Sequence, residues 1–254
     1  MLTEERQDEI VRLVNVGGAV SVQALVEYFH ISEATVRRDL VALQQAGRLR
    51  RVHGGATSLN GDNLLYEADM EELTHKYAFH MVEKRQIAQY ASSLINDDDF
   101  VYLDAGSTVE QMADFLSESK AAFMTNNLPL ATKLATNGCH VSILPGRIKG
   151  TTAAVVGADM IQSLKKYHFT KGFFGTNGIS LHEGCTTPDE EEATGKKAAI
   201  SQCTKAYVLA DPSKFGLFSR ITFTPLSTVS VITAKGRDDV DFMAYQHSTE
   251  VTIL

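Results

Sequence analysis

The chain has little cysteine, no long apolar run and no surplus of positive charge, and each lack closes off a class of protein. Three cysteines stand in 254 residues, Cys139, Cys185 and Cys203. They are odd in number and far apart, and none makes a Cys-x-x-Cys pair. That argues against a disulfide set or a zinc site and for buried thiols in a reducing cytoplasm. No stretch of about 18 apolar residues occurs, so no membrane span is expected. The opening residues, MLTEERQDEI, are acidic and lack the apolar core of a secretory signal. The net charge of −7 argues against generic coating of nucleic acid. Internal repeats and low-complexity tracts are missing too. What remains is an ordinary soluble composition, 44% apolar and 22% charged, on a chain long enough for two domains with their own cores.

The most informative stretch is SVQALVEYFHISEATVRRDL, residues 21–40. Ser21 is a good helix cap, and Val22, Leu25, Val26 and Phe29 follow at i, i+3, i+4 and i+7, one buried stripe. His30 and Ile31 make a turn, and Ser32 caps a second helix. On it Val36, Leu40 and Leu43 point inward, while at about 100° per residue Ala34, Arg38 and Gln45 face outward, flanked by Thr35 and Arg37. A small residue, a hydroxyl and two guanidiniums on the outer half of a helix suit the DNA major groove. Upstream, residues 3–15 form a first helix capped by Thr3, with Ile10, Val11, Leu13 and Val14 as its apolar face and Gly17-Gly18 as its stop.

Downstream, Gly47 ends the second helix and residues 48–52 alternate arginine with apolar side chains like an edge strand. His53-Gly54-Gly55 then turns the chain. The pattern predicts a winged helix-turn-helix over residues 1–57, with Arg50, Arg51, His53 and Gly54 placed to touch phosphates. Residues 31–57 carry five arginines against Glu33 and Asp39, a balance of +3, while residues 1–30 carry −3. The positive charge is thus local to one face.

Residues 58–75 are polar and acidic and read as a linker. A helix over 76–95 leads to Asp97-Asp98-Asp99, which reads as a solvated turn rather than a metal site, since no other ligand spacing accompanies it. Five apolar runs follow, each ending in turn-prone polar residues: 100–103 in 104–108, 122–124 in 125–127, 141–144 in 145–147, 172–174 in 175–178, and 206–210 in 211–214. Apolar strands alternating with helices predict an α/β domain over 76–254, a mostly parallel sheet with helices on both faces. Ligands of such sheets sit beyond the carboxyl ends of the strands. The rim so formed suits a small, polyhydroxylated, phosphorylated ligand. Gly106, Ser107 and Thr108 open a helix with N–H groups turned to an anion, Arg147 or Lys214 supplies charge, and Asp104, Asn126 and Asn177 suit sugar hydroxyls. Residues 236–254 add a short helix and a final strand of no assigned role beyond core or assembly.

The segments Ser32–Leu40 and Arg51–Ala56 resemble the N-terminal domain of the DeoR-type bacterial transcriptional regulators. The resemblance continues through Asp104–Thr108, Thr125-Asn126-Asn127, Gly175-Thr176-Asn177-Gly178-Ile179, Gly184–Pro188 and Ala210–Gly216, covering the chain from about Thr3 to about Thr233. It implies a sensor similar in fold to ribose 5-phosphate isomerase that binds a phosphorylated sugar, and it points toward the lactose or fructose phosphotransferase-system repressors. It adds Thr125, Asn127, Gly175, Thr176, Asp211, Thr186 and Thr187 to the effector candidates. Pro145-Gly146-Arg147 departs from the family's glycine-rich pattern, so Arg147 gains no role from it. Within Asp189–Glu192, acids of a helix first turn, favourable to its dipole, compete with a reading in which Glu190 takes a sugar hydroxyl.

Two functions follow. One is a DNA-binding repressor, a homo-dimer or homo-tetramer on repeated half-sites of double-stranded operator DNA, with a phosphorylated sugar as effector and no cofactor or metal. The other is a sugar-phosphate isomerase with a DNA-binding head, for which Asp104, Asp211, Glu190 and Lys214 provide candidate types without a spacing that demands catalysis. An activator would use the same parts as a repressor.

Overall fold

The structure is a computed structural model. It describes residues 3–17, 19–52, 55–57, 80–150, 152–235 and 240–254, and the chain divides into two units, Met1–Phe79 and His80–Leu254. The expected linker, 58–75, lies outside the described residues, as do His53 and Gly54.

In the first unit, α1 (Thr3–Gly17), α2 (Val22–Phe29) and α3 (Glu33–Gln45) pack around one small core. Ile10, Leu13 and Val14 come from α1, Val22 and Leu25 from α2, and Val36, Leu40 and Leu43 from α3. These are the stripes that the spacing predicts. The helix starts differ in detail: α1 runs through Thr3 instead of being capped by it, and continues to Gly17. Ser21 ends strand β1 (Ala19–Ser21), and its side chain lies outside the described set. His30 makes the tight turn between α2 and α3 with a positive φ of 52°. Beyond α3, Gly47 takes φ +65° and closes the helix by donating to the Gln44 carbonyl, 3.0 Å, while Arg48 N–H reaches Leu43 O, 2.9 Å. The wing is a three-stranded antiparallel sheet ordered β1, β3 (Gly55–Thr57), β2 (Arg50–Val52), so the arginine strand is at the edge.

In the second unit seven parallel strands run in the order β15 (Val251–Ile253), β14 (Ser230–Thr233), β12 (Cys203–Leu209), β9 (Phe169–Gly175), β4 (Phe100–Leu103), β5 (Ala122–Thr125), β6 (His140–Ile143). The strands are apolar on both faces because both are covered. Along β4, Val101 and Leu103 face one core, shared with Phe173, Leu209 and helix α4 (Met81–Ser93). The short α5 (Ser107–Glu110), which continues as a 3-10 turn to Phe115, and α6 (Leu128–Thr136) lie in that same core. Tyr102 faces the other core, shared with Phe174, Val208, α7 (Ala158–Leu164) and α8 (Glu190–Ile200). A terminal helix, α9 (Phe242–Gln246), precedes β15, so the tail completes one sheet edge.

Three features depart from expectation. The helix expected over 76–95 spans Met81–Ser93, with His80 as its cap residue; 76–79 lie outside the described residues. Asp99 does not sit in a solvated turn. It is buried, 2.5 Å from Lys171 Nζ, and accepts from Thr170 and from Asn96 N–H. Burial would raise its carboxyl, but these partners outweigh burial and hold it below the ordinary value. Two small antiparallel pieces were not foreseen, the hairpin β7 (Arg147–Lys149) with β8 (Ala154–Val156), and the sheet β10 (Gly178–Ser180), β11 (Gly184–Thr187), β13 (Ile221–Thr224).

Candidate nucleic-acid interface and ligand site

The outer side of α3 is built by its first turn. Ser32 is extended, its hydroxyl oxygen accepts from Thr35 N–H at 3.3 Å, and the two hydroxyls lie 2.9 Å apart. Ala34, Arg37 and Arg38 are exposed and Thr35 half-buried on this face. Arg37 forms an exposed pair with Glu33, and Arg38 Nε reaches the Ala34 carbonyl at 3.3 Å. Such surface pairs contribute little and yield readily to a phosphate or a base. Arg51 on the edge strand is exposed; the Arg50 side chain lies outside the described set.

Asp39, counted in the charge balance of residues 31–57, points inward. It is buried and takes Arg6 Nε at 2.7 Å and Gln7 Nε2 at 3.1 Å, tying α3 to α1. The outward face of α3 is therefore more positive than its residue count implies.

In the second unit, all five polar clusters follow the carboxyl ends of parallel strands, at one edge of the sheet. Asp104 is buried at the end of β4. Its Oδ2 accepts from Gly175 N–H at 3.1 Å and from the buried ammonium of Lys196. Burial raises the Asp104 carboxyl above its ordinary value, although Lys196 and the Gly175 N–H pull it back. Gly106 and Gly175 meet backbone to backbone, since a Cβ on Gly106 would stand 3.4 Å from Gly175 Cα. Ser107 and Thr108 open α5 beside them.

Several expected effector residues turn out to brace the rim. Thr125 Oγ1 accepts from Asn127 N–H at 3.0 Å, and Asn127 Oδ1 caps α6 by accepting from Leu130 N–H at 2.9 Å. Asn126 accepts from Ala105 N–H and donates to Val155 O, joining two rim loops. The Thr176 hydroxyl lies 2.9 Å from Gly178 O and 3.0 Å from Thr186 O. Thr186 and Thr187 are strand residues of β11, fully buried. Thr186 Oγ1 accepts from Ser219 N–H, and Thr187 donates to Asn177 Oδ1. These hydroxyls hold loop to loop.

Arg147 starts β7, is 61% exposed, and pairs with Glu191 at 2.5 Å. Lys149 on the same strand lies 2.6 Å from Asp189 and 3.1 Å from Glu192, and Thr152 also donates to Glu192. Asp189 caps α8. Burial would lower the Lys149 ammonium, but its two carboxylates outweigh this and raise it. Three of the four acids are thus committed to the β7–β8 hairpin or the helix cap; Glu190 is exposed.

Two residues of the rim were missed. Lys196 of α8 and Lys84 of α4 are each 5% exposed. Each meets a strand-end aspartate: Lys196 pairs with Asp104, and the charge of Lys84 acts on Asp211 at the end of β12. Burial would raise the Asp211 carboxyl, but Lys214, His80 and Lys84, with the Ser213 hydrogen bond, hold it well below the usual carboxylate range. The two lysines come from opposite faces of the sheet, and their aspartates lie on strands that flank β9. At about 4.8 Å per strand, the strands that carry the two poles are about 9–10 Å apart across the sheet. Both lysines sit on apolar helix stripes, Lys84 with Ile87, Ala88 and Ala91, and Lys196 with Ala193 and Ala199. A charged residue on such a stripe is the signal that would have found them.

Cys139 and Cys185 are buried and Cys203 is partly buried, all free. Burial pushes the Cys185 and Cys203 thiols up to about 12. Among the described residues no helix is long and apolar enough to cross a membrane.

Known protein families match both units. A family model described as the DeoR-like helix-turn-helix domain matches residues 6–61, and one described as the DeoR C terminal sensor domain matches residues 79–235. The uncharacterized HTH-type transcriptional regulator FruR of Bacillus subtilis (strain 168) is 38% identical to this chain, over 100% of it and 99% of the relative. The lactose phosphotransferase system repressor of Streptococcus mutans serotype c is 33% identical over 99% of each. Among solved structures, ribose 5 phosphate isomerase A from Neisseria gonorrhoeae superposes with a TM-score of 0.40 at 17% identity, over 54% of this chain and 54% of that one, too slight a likeness to transfer a function. An outward cationic helix at the start of the chain, a sensor domain behind it and relatives matched along their whole length place this protein in the DeoR family of helix-turn-helix transcriptional regulators.

Proposed function

We propose that the chain represses a sugar-metabolism operon and that a phosphorylated sugar, held at the rim of the parallel sheet, sets its affinity for the operator. One observation carries the DNA half: α3 turns Val36, Leu40 and Leu43 into the core and leaves Arg37 and Arg38 outside. Ala34, Thr35, Arg37 and Arg38 read base edges, while Ser32 and Arg51, with Ser21, Arg50, His53 and Gly54, contact the backbone. One winged helix covers too little DNA for tight selective binding, so the working form is a homo-dimer or homo-tetramer on repeated half-sites.

For the effector, the two-pole rim supports a small ligand with one anionic and one hydroxylated end. Lys84 and Lys214 gather positive charge around Asp211 and suit a phosphate. Asp104 and Asn177 suit hydroxyls. The Streptococcus mutans relative, a lactose phosphotransferase system repressor, supports the sugar-metabolism assignment. The effector acts by preferring one state of the regulator over another, a coupling of typically about 1–3 kcal/mol. Binding needs no turnover, and the protein works in the cytoplasm as a regulator rather than as an isomerase.

The test is a gel-shift on the chain's own promoter at fixed salt. Arg37→Ala plus Arg38→Ala weakens operator binding about 100-fold or more, two lost charged contacts at about 1–3 kcal/mol each. Unchanged binding would refute the assignment of α3. Incubation with pentose and hexose phosphates checks the enzyme reading: sustained turnover removed by Asp104→Asn would reverse it.

A further inference from the structure

We propose that the Lys196–Asp104 pair makes this site selective for a ligand whose end opposite the phosphate carries a hydroxyl rather than a carboxylate, with Lys196 as the positioning residue. The inference rests on the phosphorylated-ligand reading above and deepens it by naming what the second pole accepts.

The geometry is asymmetric at the carboxylate. Lys196 Nζ and Gly175 N–H both address Asp104 Oδ2. Oδ1 receives no hydrogen bond among the described residues. Lys196 also lies over the Phe223 ring, 5.6 Å from its centroid, with Ala193 and Ala199 on the same stripe. The lysine therefore fixes one oxygen and leaves the other as an acceptor. An ionised carboxylate can only accept, so the ligand atom that meets Oδ1 must donate. A hydroxyl does; a carboxylate would place a second anion in contact with a buried carboxylate.

Stability alone does not explain the pair. A buried ion pair is often no more stabilising than apolar residues of similar volume, and an apolar residue at 196 would complete the stripe. The neighbouring Lys197 is exposed, so the helix has a solvated place for a lysine one residue away.

The experiment is isothermal titration of the full chain with pentose and hexose phosphates, 6-phosphogluconate and inorganic phosphate, repeated with Lys196→Met, Lys196→Arg and Asp104→Asn. In the wild type the tightest sugar phosphate binds about 30-fold or more above 6-phosphogluconate, the scale of one charge-assisted contact exchanged for a repulsion. Lys196→Met lowers sugar-phosphate affinity about 10-fold or more and narrows that preference. It also makes sugar-phosphate binding weaken, as pH falls, at a higher pH than in the wild type, because a buried Asp104 without its lysine takes up a proton more readily. Lys196→Arg keeps the charge and restores the wild-type pH profile. A folded Lys196→Met with wild-type affinity, preference and pH profile overturns the proposal. Should Lys196→Met fail to fold, Asp104→Asn decides: the proposal expects its preference against 6-phosphogluconate to collapse, and retention of that preference refutes it. A wild type that binds sugar phosphates and 6-phosphogluconate equally refutes this selectivity alone. A wild type that binds no sugar phosphate removes the effector class as well.

Discussion

The two units use positive charge in opposite ways. In the head, Arg37, Arg38 and Arg51 stand in solvent on a helix and a sheet edge, while the small core beneath is, among the described residues, apolar apart from the Arg6–Asp39 tie. In the sensor, Lys84 and Lys196 are drawn inside the fold against aspartates at strand ends. Exposed cations act through high dielectric and are screened over about 8–10 Å at ordinary salt, which suits a long polyanion met at many points. Buried cations keep their strength at short range and suit one small ligand met at a few atoms. One chain thus holds two electrostatic regimes, one suited to DNA and one to the small phosphorylated ligand proposed above, and burial separates them.

The comparison breaks first at Asp39. Arg6→Met leaves that carboxylate buried without its main partner. The head loses about 3–5 kcal/mol, and calorimetry of the full chain shows its transition falling while that of the sensor stays in place. A joint shift of both transitions would contradict the separate cores.

Next comes Asp211, whose folded carboxyl is held below its ordinary value. A depressed acid contributes stability above its unfolded pKa of about 3.9 and loses it as pH falls toward the folded value. Asp211→Asn therefore destabilises the sensor by about 2–3 kcal/mol at pH 7, with the gap to wild type narrowing below roughly pH 4. Denaturant titration at several pH values checks this; a gap that is constant with pH would remove the charge argument.

Lys149 is less buried than Lys84 or Lys196, and its carboxylates reach solvent. Lys149→Met loosens the β7–β8 hairpin by about 1 kcal/mol, read as faster amide exchange at residues 147–156. Smallest in stability is Arg51→Ala, within about 0.5 kcal/mol of wild type, yet it lowers the slope of log operator affinity against log salt by about 0.9 if Arg51 contacts one phosphate.

How legible each region was follows the same divide. In the head, apolar spacing on α2 and α3 determines which residues face outward, so Ala34, Thr35, Arg37 and Arg38 could be named from the sequence. In the sensor, runs such as Phe100–Leu103 and Gly172–Phe174 mark parallel strands, and their polar ends mark the rim. What stayed hidden is charge turned inward. Asp39, Asp99, Lys84 and Lys196 look like surface residues one at a time, because their partners Arg6, Lys171, Asp211 and Asp104 are distant in sequence. Lys196 and Lys197 are chemically identical neighbours, and only the stripe position distinguishes the buried one. The threonines at 125, 176, 186 and 187 enter the effector candidates through the family resemblance, and their bracing bonds, made to residues in other loops or strands, left no mark in the sequence. The antiparallel sheet of β10, β11 and β13 escaped notice because strands of three or four residues leave too short a pattern.

The most direct test compares salt dependence at the two sites of the same molecule. Fluorescence anisotropy follows operator binding by the full chain between about 50 and 200 mM salt, and calorimetry follows the tightest sugar phosphate over the same range. The account predicts that operator affinity falls by about 100-fold or more while sugar-phosphate affinity changes by less than about threefold. Equal losses at both sites, or operator binding indifferent to salt, would contradict it.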